Sequence, residues 1–278
     1  MLAAPSARGP LHIVEVGAGT GIATRLLLRA AGEAGQLARL QAFDPSPGML
    51  SYLRGSLFGT RTRGGFLQAL QDHGVLSRRV AVSVGEGSFD TYPAGDDNDL
   101  VVIAQAWHWC ADFDRALAHI ARSLRPGGVL ALVWNLEDRD AAPWVAKLRD
   151  LYEPYEDDTP QYRHMLWKEM YTTPSFAAHF DTLRAHSMTR VLPATVDAAV
   201  HRMLSKSYVS VLDDAAKVRL AQQARAMLDG DDTALGRQWL DKEDGVFAYP
   251  YRTGASGLPR EEALTFRITS DVHLFRRK

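Results

Sequence analysis

Two residue patterns in this 278-residue chain could do chemistry. The first is Glu15-Val16-Gly17-Ala18-Gly19-Thr20-Gly21, three glycines in five residues directly after a hydrophobic run. Glycines so placed let backbone N–H groups and a helix N-terminus approach a ligand, because no Cβ intervenes and φ > 0 costs little. The spacing is G-x-G-x-G, and the dinucleotide fingerprint G-x-G-x-x-G fails because Ile22 holds its last position. Asp44 follows 23 residues after Gly21, at the end of the next predicted strand. A carboxylate there can accept hydrogen bonds from both hydroxyls of a ribose. The second pattern is Gln105-Ala106-Trp107-His108-Trp109. His108 is the side chain of this loop able to take a proton near neutral pH. Two tryptophans in a loop need cover, either from a ligand or from packing against the rest of the chain.

These residues need elements to hold them. Hydrophobic runs predict strands over 12–16, 40–43, 79–84, 100–105 and 129–134, with helices over 22–31 and from 47 through 53. Phe113, Leu117, Ile120 and Leu124 recur at helical spacing, and Pro126-Gly127-Gly128 stops that helix. The β/α alternation implies a doubly wound, Rossmann-like α/β core over 1–158 with a mostly parallel sheet. Residues 55–74 read as a surface insertion, and 159–245 as a helical cap that includes a helix over 213–228. Strands over 246–252 and 272–276 are expected to form an antiparallel edge hairpin that completes a seven-stranded sheet. Residues 253–260, rich in Gly and Pro, read as an exposed loop between them.

Composition narrows the partners. A net charge of −1 argues against a nucleic-acid surface, which carries a basic excess. No apolar run reaches the roughly 18 residues of a membrane-spanning helix, and the first eight residues lack a secretory h-region. The single cysteine, Cys110, builds no disulfide framework and suits a reducing, cytoplasmic setting. The nine histidines are scattered without metal-ligand spacing. No G-x-S-x-G nucleophile elbow occurs.

From Ile13 to Leu53 the chain resembles motifs I and II of class I S-adenosylmethionine-dependent methyltransferases, through Glu15, Gly17, Gly19, Gly21 and Asp44. The likeness continues through Val84-Gly85-Glu86-Gly87-Ser88-Phe89-Asp90, through Asn98 to Trp109, and into Leu124-Arg125-Pro126-Gly127-Gly128. The His-Trp pair and the Pro-Gly-Gly turn resemble the trans-aconitate methyltransferase-like branch, which acts on small molecules. Leu204-Ser205-Lys206-Ser207-Tyr208 and Tyr249-Pro250-Tyr251-Arg252-Thr253 fit more loosely.

The resemblance implies S-adenosyl-L-methionine as cofactor and a small-molecule methyl acceptor, with a carboxylate among the candidate acceptors. It implies that Gly17, Ala18, Gly19 and Gly21 cradle the cofactor, that Glu15 faces its methionine half, and that Asp44 takes the ribose. Pro45 and Met49 would flank the adenine, and Ser88 and Phe89 would read it. The family's acid is absent at Gly87 unless Glu86 replaces it. Gln105 and Ala106 would border the methionyl arm, while Trp107, His108, Trp109 and Tyr208 would line the acceptor pocket. Aromatic walls suit a sulfonium cation. His108 would serve as base only for an acceptor that must lose a proton, which a carboxylate need not. Arg163, Arg190 and Lys206 are cations able to bind a carboxylate.

About ten residues precede the first predicted strand, fewer than in related enzymes, where that segment closes over the cofactor. A cofactor-binding protein without turnover is therefore one alternative. A nicotinamide-dependent oxidoreductase is another, opposed by Ile22 and by the lack of a Tyr-x-x-x-Lys pair after the fifth strand.

Overall fold

The strand Leu11–Val16 (β1) buries Ile13, Val14 and Val16, as a parallel strand covered on both faces must. The computed structural model describes residues 9–60, 62–186, 188–253 and 271–278. The chain divides into two compact units. The first comprises Met1–Val133, Met165–Ala185 and Val272–Lys278, and the second Trp134–His164 and His186–Asp271.

In the first unit β1 is followed by Leu37–Asp44 (β2), Ala81–Glu86 (β3), Asn98–Ala104 (β4) and Leu124–Trp134 (β5). Phe180–His186 (β6) and Asp271–Arg277 (β7) complete a seven-stranded sheet of order β3-β2-β1-β4-β5-β7-β6. The pairs β1/β2, β1/β4, β2/β3 and β4/β5 are parallel. The α/β class and the seven-stranded sheet inferred from the sequence are both present. Strand order reverses between β1 and β4, so the loops leaving their C-terminal ends flank a crevice at the switch point. Helix Ile22–Glu33 (α1) buries Thr24, Leu28 and Ala31. Helix Pro47–Phe58 (α2) begins at Ser46, whose side chain accepts a hydrogen bond from the Met49 N–H, and buries Leu50, Leu53 and Leu57. Helix Phe113–Ser123 (α3) is capped by Asp112 and buries Ala116, Leu117, Ile120 and Ala121. Between β4 and β5 the register slips, Asn98 pairing with Leu124 and Leu100 with Val129, so Arg125–Gly128 bulges out where the Pro-Gly-Gly stop lies.

The region 55–74 is more ordered than an insertion loop. It holds the last turn of α2, a short ladder of Gly59–Thr60 against Arg63–Gly64, and a helix Phe66–Asp72 that buries Leu70.

The second unit corrects two expectations. Val246–Thr253 does not complete the core sheet with β7. It pairs antiparallel with Met188–Ala194, Trp239–Asp241 and Leu136–Glu137 in a separate four-stranded sheet. The partner that β7 takes at the edge is Phe180–His186, a strand that the sequence pattern did not suggest. The region 159–245 is accordingly not helical throughout. Helices Pro143–Tyr152, Val196–Leu204 and Asp214–Leu228 share a core with the second sheet, where Trp144, Leu148, Met203, Leu220, Leu228 and Phe247 are fully buried. Apart from Thr253, the loop expected over 253–260 lies outside the described residues, as do the first eight. Among the described residues no helix is long and apolar enough to cross a membrane.

Candidate functional site

The three glycines of the turn have separate duties. All have positive φ: +73° at Gly17, +55° at Gly19 and +82° at Gly21. A Cβ at Gly17 would stand 2.5 Å from that of Ala106, and one at Gly21 would run into Leu53. These two glycines let the strand, the loop after β4 and α2 close on one another. A Cβ at Gly19 would meet nothing within 4 Å. Gly19 therefore opens to solvent, and a ligand can come against its backbone there.

Asp44 is 7% exposed, at the end of β2. Its Oδ2 accepts the Gly19 N–H at 2.8 Å and its Oδ1 the Ser46 N–H at 2.9 Å. Gly17 and Ala18 donate their N–H groups to the Phe43 carbonyl at 2.8 and 3.0 Å. The acid thus ties the glycine turn to β2 before any ligand arrives, a role that the spacing alone did not reveal. Each carboxylate oxygen keeps acceptor capacity for a hydroxyl.

Glu15, the penultimate residue of β1, is 1% exposed, and its Oε2 has no hydrogen-bond partner. Burial pushes its carboxyl up to about 7, against the pull of Thr24 and Arg25. A buried acid with an unpaired oxygen, at the edge of a ligand turn, suits a cationic or hydrogen-bonding partner.

Beside Asp44 lies a cavity of about 360 Å³ lined by Pro45, Glu86, Gly87, Ser88 and Thr91. A Cβ at Gly87 would lie 2.7 Å from the Tyr92 backbone, so the acid that the family carries at that place does not fit here. Glu86, exposed at the end of β3, supplies the carboxylate of this wall. The Ser88 hydroxyl is bonded to Asp90 at 2.5 Å and to Thr91 at 2.7 Å, and its N–H goes to Thr91 Oγ1 at 3.0 Å. Ser88 shapes the turn more than it offers a vacant donor. Thr91 is a wall residue that sequence reasoning missed, although a hydroxyl just after the turn was its signal. Phe89 lies under the glycine turn instead, its ring edge-on to Trp107 at 5.4 Å. Met49 stands 44% exposed on α2 and does not line the cavity.

The loop after β4 splits its aromatic residues. Gln105 adopts φ +58° and donates its N–H to the Val133 carbonyl at 2.7 Å, which ends the strand. Ala106 then meets Gly17. Trp107 is fully buried, against Phe89 and Phe113, with its indole N–H on Met170 Sδ at 3.2 Å. This corrects its expected place in an acceptor pocket: Trp107 is core, and it anchors the loop. Trp109 is 47% exposed, with the half-buried His108 ring 5.7 Å away. Burial pushes the His108 imidazole down to about 4, so it is neutral and a weak base at pH 7. Tyr208 is buried in the second unit, where burial first and then the nearby Glu156 raise its hydroxyl's pKa.

An open α/β sheet with a glycine turn and a strand-end acid at its switch point is the architecture of enzymes that use a nucleoside cofactor. Comparison with known proteins narrows this. The family model described as "Methyltransferase domain" matches residues 14–132. An uncharacterized methyltransferase of Mycobacterium bovis is 32% identical over 198 residues, covering 66% of this chain and 68% of that one. The malonyl-[acyl-carrier protein] O-methyltransferase of Methylococcus capsulatus is 32% identical over 123 residues, covering 44% of this chain and 36% of its own. A solved structure from Anaeromyxobacter dehalogenans, described as a proposed type II methyltransferase, superposes with a TM-score of 0.56 at 19% identity, over 95% of this chain and 89% of that one. The chain belongs to the class I S-adenosylmethionine-dependent methyltransferases. The oxidoreductase alternative finds no support among these relatives.

Proposed function

We propose that the chain transfers the methyl group of S-adenosyl-L-methionine to a small-molecule acceptor that carries a carboxylate. The observation that carries the cofactor half of this reading is the Gly19–Asp44 hydrogen bond beside an open Gly19. It presents backbone and carboxylate together where a ribose would bind. The partnerless Glu15 oxygen and the cavity beside Pro45 fit the two ends of the same molecule. When bound, the cofactor supplies the electrophilic methyl and its leaving group.

What the chain contributes is position. Asp44 accepts hydrogen bonds from hydroxyls while its own backbone bonds fix its direction, and the unpartnered oxygen of Glu15 offers an acceptor whose ionised form a bound ammonium would favour. The loop after β4, pinned by Trp107, keeps the Ala106 methyl against Gly17. His108, as a weak base, suits an acceptor whose nucleophile is already an anion, and this favours a carboxylate over a phenol or an amine. The O-methyltransferase relative is named for malonyl-[acyl-carrier protein], a carrier-bound acyl group whose free end is a carboxylate, and this supports the carboxylate part of the reading.

The test pairs binding with turnover. S-adenosylhomocysteine should bind in calorimetric titration, and Asp44→Ala should weaken it by about 2–3 kcal/mol through loss of charge-assisted hydrogen bonds. Small carboxylic acids, phenols and amines are then offered with the methyl donor, and products read by mass spectrometry. Unchanged affinity in Asp44→Ala would overturn the ribose assignment, and methylation of phenols or amines alone would overturn the acceptor class.

A further inference from the structure

The second unit holds a charge cluster that the methyl-transfer site does not use. Glu137, at the end of the short strand Leu136–Glu137, is fully buried. Lys206 Nζ reaches both of its oxygens at 2.7 Å, and Arg202 Nε reaches Oε1 at 3.1 Å. Two cations therefore share one carboxylate. Arg149 donates to the Glu137 backbone carbonyl at 2.8 Å, but its charge is answered by Glu153. Arg202 acts electrostatically on Tyr251, and Arg190 stands opposite Tyr251 in the second sheet. The Lys206 ammonium lies over the Tyr152 ring at 5.3 Å.

An ion pair that served only to hold the fold would be expected to balance, because surplus buried charge is costly. Here the surplus is positive. Both cations lean on the same Glu137 carboxylate, and burial in the first place, with Arg202 and Arg149 adding to it, pushes the Lys206 ammonium down to about 8 against the pull of Glu137. Tyr251 is held protonated, up to about 12, so its hydroxyl stays a neutral group able to donate. Arg202 is not sealed in: its side chain keeps 39% of its surface exposed, with Glu137 engaging it through Nε. The outer edge of that guanidinium is the natural seat for a second carboxylate.

We propose that the second unit binds the carboxylate of a small organic acid on Arg202, with Arg190 at the rim and Glu137, itself fixed by Lys206, holding the guanidinium in place. The inference rests on the proposed acceptor class for the identity of the anion, and on the cluster itself for the place. Two sequence segments that resembled the family only loosely, around Lys206 and around Tyr251, acquire a purpose in it.

The full chain, saturated with S-adenosylhomocysteine to block the other site, is titrated calorimetrically with succinate and with benzoate. Saturable binding is expected, weakened about tenfold or more in Arg202→Gln, the loss of one charge-assisted contact, and partly recovered in Arg202→Lys. Should Arg202→Gln melt well below the parent, Arg190→Gln provides the reading, with a weakening of threefold or more. No saturable binding by the parent chain, or affinity within threefold in the folded variants, overturns the proposal. Absence of methyl transfer to any carboxylate, with this binding intact, would overturn the acceptor reading and leave the anion site standing.

Discussion

Glu15 in the first unit and Glu137 in the second are equally withdrawn from water, at 1% and 0% exposure, yet their acidities move in opposite directions. Burial pushes Glu15 up to about 7, whereas for Glu137 the same burial is overcome by Lys206 and Arg202, which hold it down at about 2. The difference lies in the partners. Glu137 has three hydrogen bonds from cations, while one oxygen of Glu15 has none. A buried acid whose partners are all supplied by the chain is part of the structure. One that the chain leaves unsatisfied is a place where a ligand completes the site.

Breaking the satisfied acid should have the largest effect. Glu137→Gln leaves the largely buried Lys206 and the partly exposed Arg202 without their counter-charge, and should cost about 3 kcal/mol. Chemical denaturation monitored by circular dichroism checks this, and a loss under 1 kcal/mol would show that the cluster carries no structural burden.

Glu15 should give the next largest effect, and with the opposite pH signature. Its folded-state pKa lies above the ordinary 4.5, so the stability tied to its protonated form is complete below about 4.5 and lost as pH rises through about 7. A shift of that size corresponds to about 3 kcal/mol. Without added cofactor, the parent chain should therefore lose stability relative to Glu15→Gln between about pH 4.5 and 7, a difference in which the opposite slopes of His108 and His273, whose imidazoles burial pushes down to about 4, cancel. Parallel slopes in the two proteins would remove the contrast with Glu137.

The smallest effect is expected at His108. Being neutral and a weak base, it should tolerate His108→Gln with a rate change within about tenfold on a carboxylate acceptor, since no proton needs to leave. A fall of about 10²–10⁴-fold, the scale of a lost general base, would assign it the proton transfer that its burial argues against.

Much of the first unit was legible because its signals are local. The run into Gly17, the glycine spacing and Asp44 at a strand end are each set within a few residues, and a parallel β/α unit admits few arrangements of them. The aromatic loop was legible only in part. Trp107 and Trp109 are two residues apart in a short helical turn, and nothing in their types told which would pack on Phe89 and Met170 and which would face solvent. Ser88 was noticed while its neighbour Thr91 was not, since a hydroxyl in a turn carries no periodic signal.

By itself the sequence determined the α/β class, the glycine turn and the acid that closes on it, because backbone freedom at glycine and strand-end placement are properties of short segments. Tertiary structure decided the partners. Val246–Thr253 could have joined either sheet on its own pattern, and it lies beside Met188–Ala194, whose Pro193 weakens the strand signal. Glu137, Arg202 and Lys206 are separated by 65 and 69 positions along the chain, and form one cluster only after two helices and the second sheet have packed. Strand pairing and charge pairing at such distances depend on which faces are buried together, and no local pattern encodes that.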